Sequence, residues 1–323
     1  MSKVRRVLSK IKRRAGGVSL DRPADKPTVL LTSSGRSGST WLQELISHTD
    51  RFRVMFEPFH AKEIPALSDW EFRQYIHRDD PGDHFFSAAA RILGGRIRHP
   101  WIDQFNRARF PRRRLIKDIR TNLMAAWIGQ RFAHVKIVLL LRHPFDVAIS
   151  RQRIGWGANL RMIDGQHDLM DRHFPDRRDF FANISDPFAQ QVALWAVENL
   201  VPLRELGPDD AAVIAYEDLK QDPQAEFQRV ANFLGIDANQ LTPAHFQRPS
   251  KTSEYGHKRE AHVTDAQREL AFQQVLVPLG LDRIYPTMNA EPPALHARNV
   301  LAEFAAPNGP SSEEPTDTSP AHA

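Results

Sequence analysis

Thr28-Val-Leu-Leu-Thr-Ser-Ser-Gly-Arg-Ser-Gly-Ser-Thr-Trp-Leu42 is an apolar run that breaks into a Ser/Gly loop and resumes at helical spacing. Thr28–Thr32 is short and apolar nearly throughout, the pattern of a strand buried on both faces. Trp41, Leu42, Leu45 and Ile46 then repeat along one helix face. The loop Ser33–Thr40 therefore lies where a strand turns into a helix. Backbone N–H groups at a helix start have no intrahelical partner and the helix dipole adds positive potential, so such a turn can hold a phosphate. Gly35 and Gly38 permit the tight turn and a close approach of the anion. Arg36 supplies a fixed charge, and the Ser39 and Thr40 hydroxyls add donors. A plain Gly/Ser turn capping a helix fits these residues equally well at this level.

Compared with the nucleotide loop G-x-x-x-x-G-K-[ST], Gly38 matches the second glycine and Thr40 the final hydroxyl. Ser33 replaces the first glycine, and Ser39 replaces the lysine that clamps the β- and γ-phosphates. The cation has moved back to Arg36. Working outward, Arg53–Phe56, Arg114–Lys117, Lys136–Leu141 and Ala212–Tyr216 are further strand candidates, and Lys136–Leu141 is the strongest. Asn122 is expected to cap a helix carrying Leu123, Ala126, Trp127 and Ile128. Strands alternating with helices imply an α/β fold. We expect a P-loop-type parallel sheet of about five strands, helices on both faces and helical insertions. Such sheets bind ligands at the carboxyl ends of their strands.

The 323 residues suit one domain spanning 25–290 with a basic tail at 1–24 and a tail at 291–323, the latter expected to be disordered. The formal net charge of +5 is not spread over the fold: residues 1–20 carry seven Lys and Arg and no acid. Removing those seven from the 44 basic residues leaves 37 against 39 Asp and Glu. That argues against a nucleic-acid surface covering the domain. Val4, Val7, Leu8 and Ile11 recur at helical spacing among the tail's cations. This permits a short amphipathic helix in peripheral contact with an anionic membrane, and a frayed tail fits equally well. A basic cluster at Arg107, Arg109, Arg112, Arg113, Arg114, Lys117 and Arg120 reads as an anion site or as a solvated loop. The absence of cysteine excludes disulfides and thiolate chemistry. Without an apolar run of 18 residues or a signal-peptide core, a cytoplasmic protein is expected.

Leu141-Arg-His-Pro-Phe-Asp-Val-Ala-Ile-Ser-Arg151 ends the strongest strand. Pro144 stops that strand, and Asp146 is expected to cap the helix that follows. Arg142 emerges at the carboxyl end, with Ser150 about two helical turns further on. Together the two motifs resemble the sulfotransferase family that uses 3′-phosphoadenosine 5′-phosphosulfate (PAPS). The first is similar to the family's 5′-phosphosulfate loop. The second matches its 3′-phosphate motif, Arg-x-Pro-x-Asp-x-x-x-Ser-Arg, at every defined position from Arg142 to Arg151. Val213–Leu219, Asp222-Pro223 and Phe233–Gly235 look like the family's strand–helix segment, and Pro249–Ser253 loosely resembles its late nucleotide loop. The similarity covers about residues 27–255. Arg36 and Phe56-Glu-Pro-Phe-His60 look closer to the carbohydrate and bacterial branches. Ile116-Lys-Asp-Ile-Arg120 lacks the histidine of the phenol and steroid branch.

The resemblance implies sulfuryl transfer from PAPS to an acceptor hydroxyl without a metal. Arg36, Ser37, Gly38, Ser39 and Thr40 would hold the 5′ end, Trp41 would lie beside the adenine, and Arg142 and Ser150 would take the 3′-phosphate. Lys251 would close the late loop, and Arg151 is read as structural. Glu57 would be the base, with His60 the alternative, and Lys117 with Arg36 would hold charge on the transferring group. Burial is expected to raise the Glu57 pKa toward neutrality, unless Glu57 serves as a partner for Arg53. Arg120 and Asp118 would orient the acceptor, expected to be a glycan or lipid-linked alcohol. Residues 157–190, charged and His-rich, are read as a partly helical insertion beside it. The competing readings are a P-loop kinase or NTPase, which the missing lysine disfavours, and a non-catalytic nucleotide-binding protein recruited to membranes.

Overall fold

The computed structural model describes residues 26–175, 177–248, 261–289, 291, 293 and 297–305. The basic tail and the loop holding Lys251 lie outside the described residues. Five parallel strands form one sheet: β1 (Thr28–Ser33), β2 (Phe52–Phe56), β3 (Arg113–Asp118), β4 (Val135–Leu141) and β5 (Ala211–Ala215). Their spatial order is β2-β3-β1-β4-β5. The fold is thus α/β and of the P-loop type, with a strand at each of the five expected places. Every residue of β1 is buried, as expected for a strand with layers on both faces.

Alternate side chains of each strand feed two cores. Leu30, Met55, Ile116, Ile137 and Leu139 face one that also contains Trp127 and Trp195. Val29, Leu31, Val54, Leu115 and Leu140 face the other, with Leu42, Ile46 and Phe227. The helices that matter for the site are α1 (Ser39–His48), α2 (Asp83–Leu93), α3 (Pro144–Arg153) and α4 (Pro187–Glu205). α1 follows β1 after the five-residue loop 34–38, and α3 follows β4 with a two-residue break.

Four expectations need correction. Asn122 does not cap a helix: it opens a short 3₁₀ turn, Asn122–Met124, ahead of Ala125–Arg131. Its side chain instead accepts from Thr32 Oγ1 at 3.1 Å and donates to the Glu198 carbonyl at 2.9 Å. Nor does Asp146 cap α3. The His143 imidazole accepts from the Phe145 amide, and Asp146 pairs with Arg142 one turn back. Arg53 is fully buried and pairs with Asp103 at 2.9 Å, leaving Glu57 to other partners. Finally, residues 297–305, placed in a disordered tail by their surroundings, form a helix that buries Val300, Leu301 and Phe304. Three apolar residues at i, i+1 and i+4 are enough to seal a core edge once a partner helix stands opposite. Residues 157–190 are partly helical, with short helices at Arg161–Asp164, His167–His173 and Arg178–Ala182 before α4.

Candidate active site

The site grows from two places where the backbone is forced left-handed. Among the described residues, the non-glycine positions with positive φ are Arg36 (81°) and Glu57 (44°). Both follow a strand at the carboxyl edge of the sheet, and both line one cavity of about 840 Å³. Left-handed backbone at residues with a Cβ is held against a local cost of order 1–3 kcal/mol, and such strain gathers where a side chain must be aimed. Between them Gly38, also left-handed at 90°, begins α1. The helix turns closely there, the Trp41 amide bonding back to the Gly38 carbonyl at 2.9 Å.

Gly38 is tightly enclosed as well as left-handed. A Cβ there would stand 2.6 Å from Cδ2 of Tyr216. That ring is itself fixed, edge-on to Trp41 at 5.8 Å and beneath the Arg142 guanidinium at 4.5 Å. Gly38→Ala is therefore expected to lower unfolding free energy by ~1–3 kcal/mol, read by denaturant titration. An unchanged midpoint would show that the loop yields at no cost.

The two sequence motifs meet. Arg142 Nη1 donates to the Arg36 carbonyl at 3.2 Å, and Arg36 Nε donates to Ser150 Oγ at 3.0 Å. α3 thus folds back over the loop, which places a strand-end arginine and a serine two turns later beside the same group. Burial, and then the neighbouring Arg142 charge, lowers the Arg36 pKa. Arg36 remains a cation, but one short of counter-charge, which favours an anion between the two arginines. Buried donors stand without partners here: Arg142 Nε, Ser37 Oγ and Trp41 Nε1. Arg36, Gly38, Ser39, Thr40, Trp41 and Arg142 all line the cavity, whereas Ser37 is fully buried and does not.

The second cluster surrounds Glu57. Its carboxylate receives Lys117 Nζ at 2.6 Å and Arg120 Nη1 at 2.7 Å, all three side chains being almost completely buried. Neighbouring strands β2 and β3 produce this pairing, with Phe56 opposite Lys117 in the register. Burial alone would raise the Glu57 pKa, but the charges and hydrogen bonds of Lys117 and Arg120 outweigh it and hold the carboxyl below its ordinary value. The expected upward shift is thus reversed, because two buried cations are closer than solvent. Asp118 faces away and accepts from the Phe59 and Arg120 amides at 2.8 and 2.9 Å. Burial pushes its carboxyl up to about 6. It shapes the loops rather than the cavity. His60 borders the cavity between Phe72 and Trp101, and burial with the Arg120 charge lowers it to about 4, so the imidazole is neutral at pH 7.

Behind the loop lies a buried ion triad that the sequence reading did not find. Glu198 of α4 takes Arg151 Nη2 at 2.6 Å on one oxygen and Arg73 Nε at 2.6 Å on the other. Ser34 Oγ adds a third bond at 2.7 Å, and Arg151 Nε holds the Gly35 carbonyl at 3.1 Å. Arg151 is therefore structural, as its burial requires. The one clue in the sequence was a lone charge inside the otherwise uncharged stretch Phe188–Leu203. Tyr216, Lys220 and Arg248 also line the cavity. Of these, Tyr216 was legible as the residue ending a strand at the ligand edge.

The model of the sulfotransferase family matches residues 27–240, which takes in both loops, Glu57, Lys117 and the whole sheet. No curated protein sequence matches the chain. Among solved structures, the sulfotransferase domain from the curacin biosynthetic pathway is 18% identical, covering 87% of this chain and 97% of that one, at a TM-score of 0.41. A sulfotransferase from Alicyclobacillus acidocaldarius is 16% identical over 80% of this chain and 97% of its own, at 0.40. Mouse sulfotransferase SULT7A1, complexed with PAP, is 14% identical over 80% and 74%, at 0.34. With its two loops joined over one cavity and two thirds of its length under the family model, this chain belongs to the sulfotransferase family.

Proposed function

We propose that this sulfotransferase transfers a sulfuryl group from PAPS to a hydroxyl of a carbohydrate acceptor, with Glu57 as base. The observation that carries the reading is the junction of Arg36 and Arg142 in the cavity that also holds Glu57 and Lys117, with Ser150 bonded to Arg36 behind it. PAPS is anionic at both ends, and the unpartnered donors Arg142 Nε and Trp41 Nε1 suit it. Arg142 and Ser150 take the 3′-phosphate, and Arg36 with the amides that open α1 takes the 5′ end. Trp41 and Tyr216 offer their faces to the adenine.

Transfer is an in-line displacement at sulfur. The acceptor oxygen forms an S–O bond as the bond to the 5′-phosphate breaks, the proton passes to Glu57, and adenosine 3′,5′-bisphosphate leaves. In the free enzyme Glu57 is tied to Lys117. A sulfuryl group placed beside Lys117 competes for the ammonium, and each interaction Glu57 loses raises its basicity at the moment the hydroxyl arrives. Lys117 and Arg36 then meet the charge that moves to the leaving phosphate. A carbohydrate acceptor is supported by the aromatic side chains of Phe72, Trp101 and Trp156 around the cavity. Phe72 also borders a second cavity of about 600 Å³ with Ser68, Glu71 and Asn159. Flat apolar faces interleaved with polar groups suit sugar rings. We place the enzyme in the cytoplasm, which the absence of cysteine supports, with its basic N-terminal tail in contact with anionic membrane.

Incubation with [³⁵S]PAPS and a panel of glycan, phenol and lipid alcohols tests the activity directly. Label must pass to a carbohydrate hydroxyl, and failure with every acceptor would overturn the reading. A thermal shift with adenosine 3′,5′-bisphosphate but none with ATP–Mg²⁺ separates it from a kinase. Arg142→Ala removes one charge-assisted contact, worth ~1.5–3 kcal/mol. It is expected to weaken adenosine 3′,5′-bisphosphate by ~10–150-fold in calorimetry, while adenosine 5′-phosphosulfate is affected little. Equal losses would misplace the 3′-phosphate.

A further inference from the structure

The edge of the sheet opposite the cavity carries a dense basic corner. Arg112 donates its amide to the Arg51 carbonyl at 2.8 Å, joining the starts of β2 and β3. Beside them, the carbonyls of Gly95 and Ile97 are held by the buried Arg53 at 2.6 and 2.7 Å. Leu93, the last residue of α2, accepts from Thr28 Oγ1 at the start of β1. These contacts gather the segments 50–53, 91–97 and 107–113 at one corner. Six arginines on them are exposed: Arg51, Arg91, Arg96, Arg107, Arg109 and Arg112. Asp50, the acid within these segments, is engaged by Lys26 at 3.2 Å, and Glu44 shares a surface cleft with Arg51 and Arg107, leaving cations in excess at the corner. Phe110, between Arg109 and Arg112, is 61% exposed, more than any other large apolar side chain described.

We infer that this corner is a docking surface for an anionic lipid bilayer, with Phe110 entering the headgroup region and the arginines resting on lipid phosphates. Exposing an aromatic ring to water is unfavourable, and a ring set among cations gains from an interface that is apolar below and anionic above. A soluble polyanion would satisfy the arginines but leave Phe110 in water. The chain also enters here: Lys26, anchored to Asp50, continues directly from a segment whose first 20 residues carry seven cations and no acid. This inference builds on the membrane contact assigned to that tail and adds a folded surface to it. It also orients the enzyme. Strands of 5–7 residues rise ~3.3 Å per residue, so the cavity stands ~20 Å from this edge. The acceptor hydroxyl is then carried by a soluble molecule or an extended headgroup, and lies well away from the bilayer surface.

Flotation with phosphatidylcholine vesicles containing 30% phosphatidylserine, compared with phosphatidylcholine alone, tests this on the full chain. Wild type is expected to bind only the anionic vesicles and to be released by 0.5 M salt. The triple variant Arg109→Glu, Phe110→Ser, Arg112→Glu is expected to lose on the order of 100-fold in partitioning while keeping its unfolding temperature and its turnover of soluble acceptors. A second variant, with the seven tail cations replaced by glutamine, separates the two contributions. If it alone loses binding and the triple variant binds like wild type, the tail reading survives and the folded docking surface is overturned. Wild type that ignores vesicles but binds heparin or duplex RNA would overturn the lipid assignment.

Discussion

Replacing Glu57 by glutamine lowers turnover by ~10²–10⁴-fold, the usual share of a positioned general base, and leaves affinity for adenosine 3′,5′-bisphosphate within a few-fold. The amide keeps one oxygen for Lys117 or Arg120, whose bonds to Glu57 are 2.6 and 2.7 Å, but it cannot take the acceptor's proton. Single-turnover assays and calorimetry give the two quantities separately. His60, neutral at pH 7, is the competing base. A smaller loss for Glu57→Gln than for His60→Asn would move the role to the histidine. The pH profile supplies a second check. Lys117 and Arg120 hold the Glu57 carboxyl below its ordinary value, so in the free enzyme it is ionised at every pH above the common carboxylate range of about 4.3. Because kcat/KM reports the free enzyme, it is expected to stay level from pH 8 down to 5. An acid limb near pH 6 that persists in Asp118→Asn, which removes the other buried carboxyl raised to about 6, would show a base raised by burial instead. The same shift has a stability sign: the contribution of Glu57 is complete above its unfolded pKa and is lost as pH falls through the lower folded one.

Glu198→Ala is expected to be the most destabilising single change, by ~3–5 kcal/mol, a large fraction of the ~5–15 kcal/mol that holds a domain. Its carboxylate is fully buried between Arg151 and Arg73, and burial, which alone would raise its pKa, is outweighed by those two charges. Truncation leaves two buried guanidinium groups without a counter-ion and frees Ser34, so both the sheet and the loop relax. Thermal denaturation is expected to shift by ~6–20 °C, at 2–4 °C per kcal/mol. Glu198→Gln keeps the shape and one acceptor, and should lie between the two. A shift under 2 °C for the alanine variant would show that the triad contributes nothing net, as some buried ion networks do when their surroundings repack.

Of the five strands, β2 and β3 carry buried charges at Arg53, Arg113, Arg114, Lys117 and Asp118, but β1, β4 and β5 announced themselves through short apolar runs. Their identity survives without tertiary information because burial on both faces leaves no room for alternation. The loops at Gly35–Thr40 and Arg142–Arg151 were equally legible, since glycine spacing and proline placement are local steric facts. The caps were less so. Asn122 and Asp146 have the right chemistry for caps, but each found another partner, Asn122 in Thr32 across the fold and Asp146 in Arg142 one turn back.

Local residue pattern, then, was enough for the parallel α/β sheet and for the two loops at its carboxyl edge, because periodicity and loop geometry depend on neighbours a few residues away. Tertiary structure alone placed Glu57 between Lys117 and Arg120, 60 and 63 residues further along the chain, and so reversed the direction of its pKa. It alone brought Glu198 to the back of a loop 164 residues before it. A charge's behaviour is fixed by which charges stand within a few ångströms after burial, and strand order sets that distance where sequence spacing cannot.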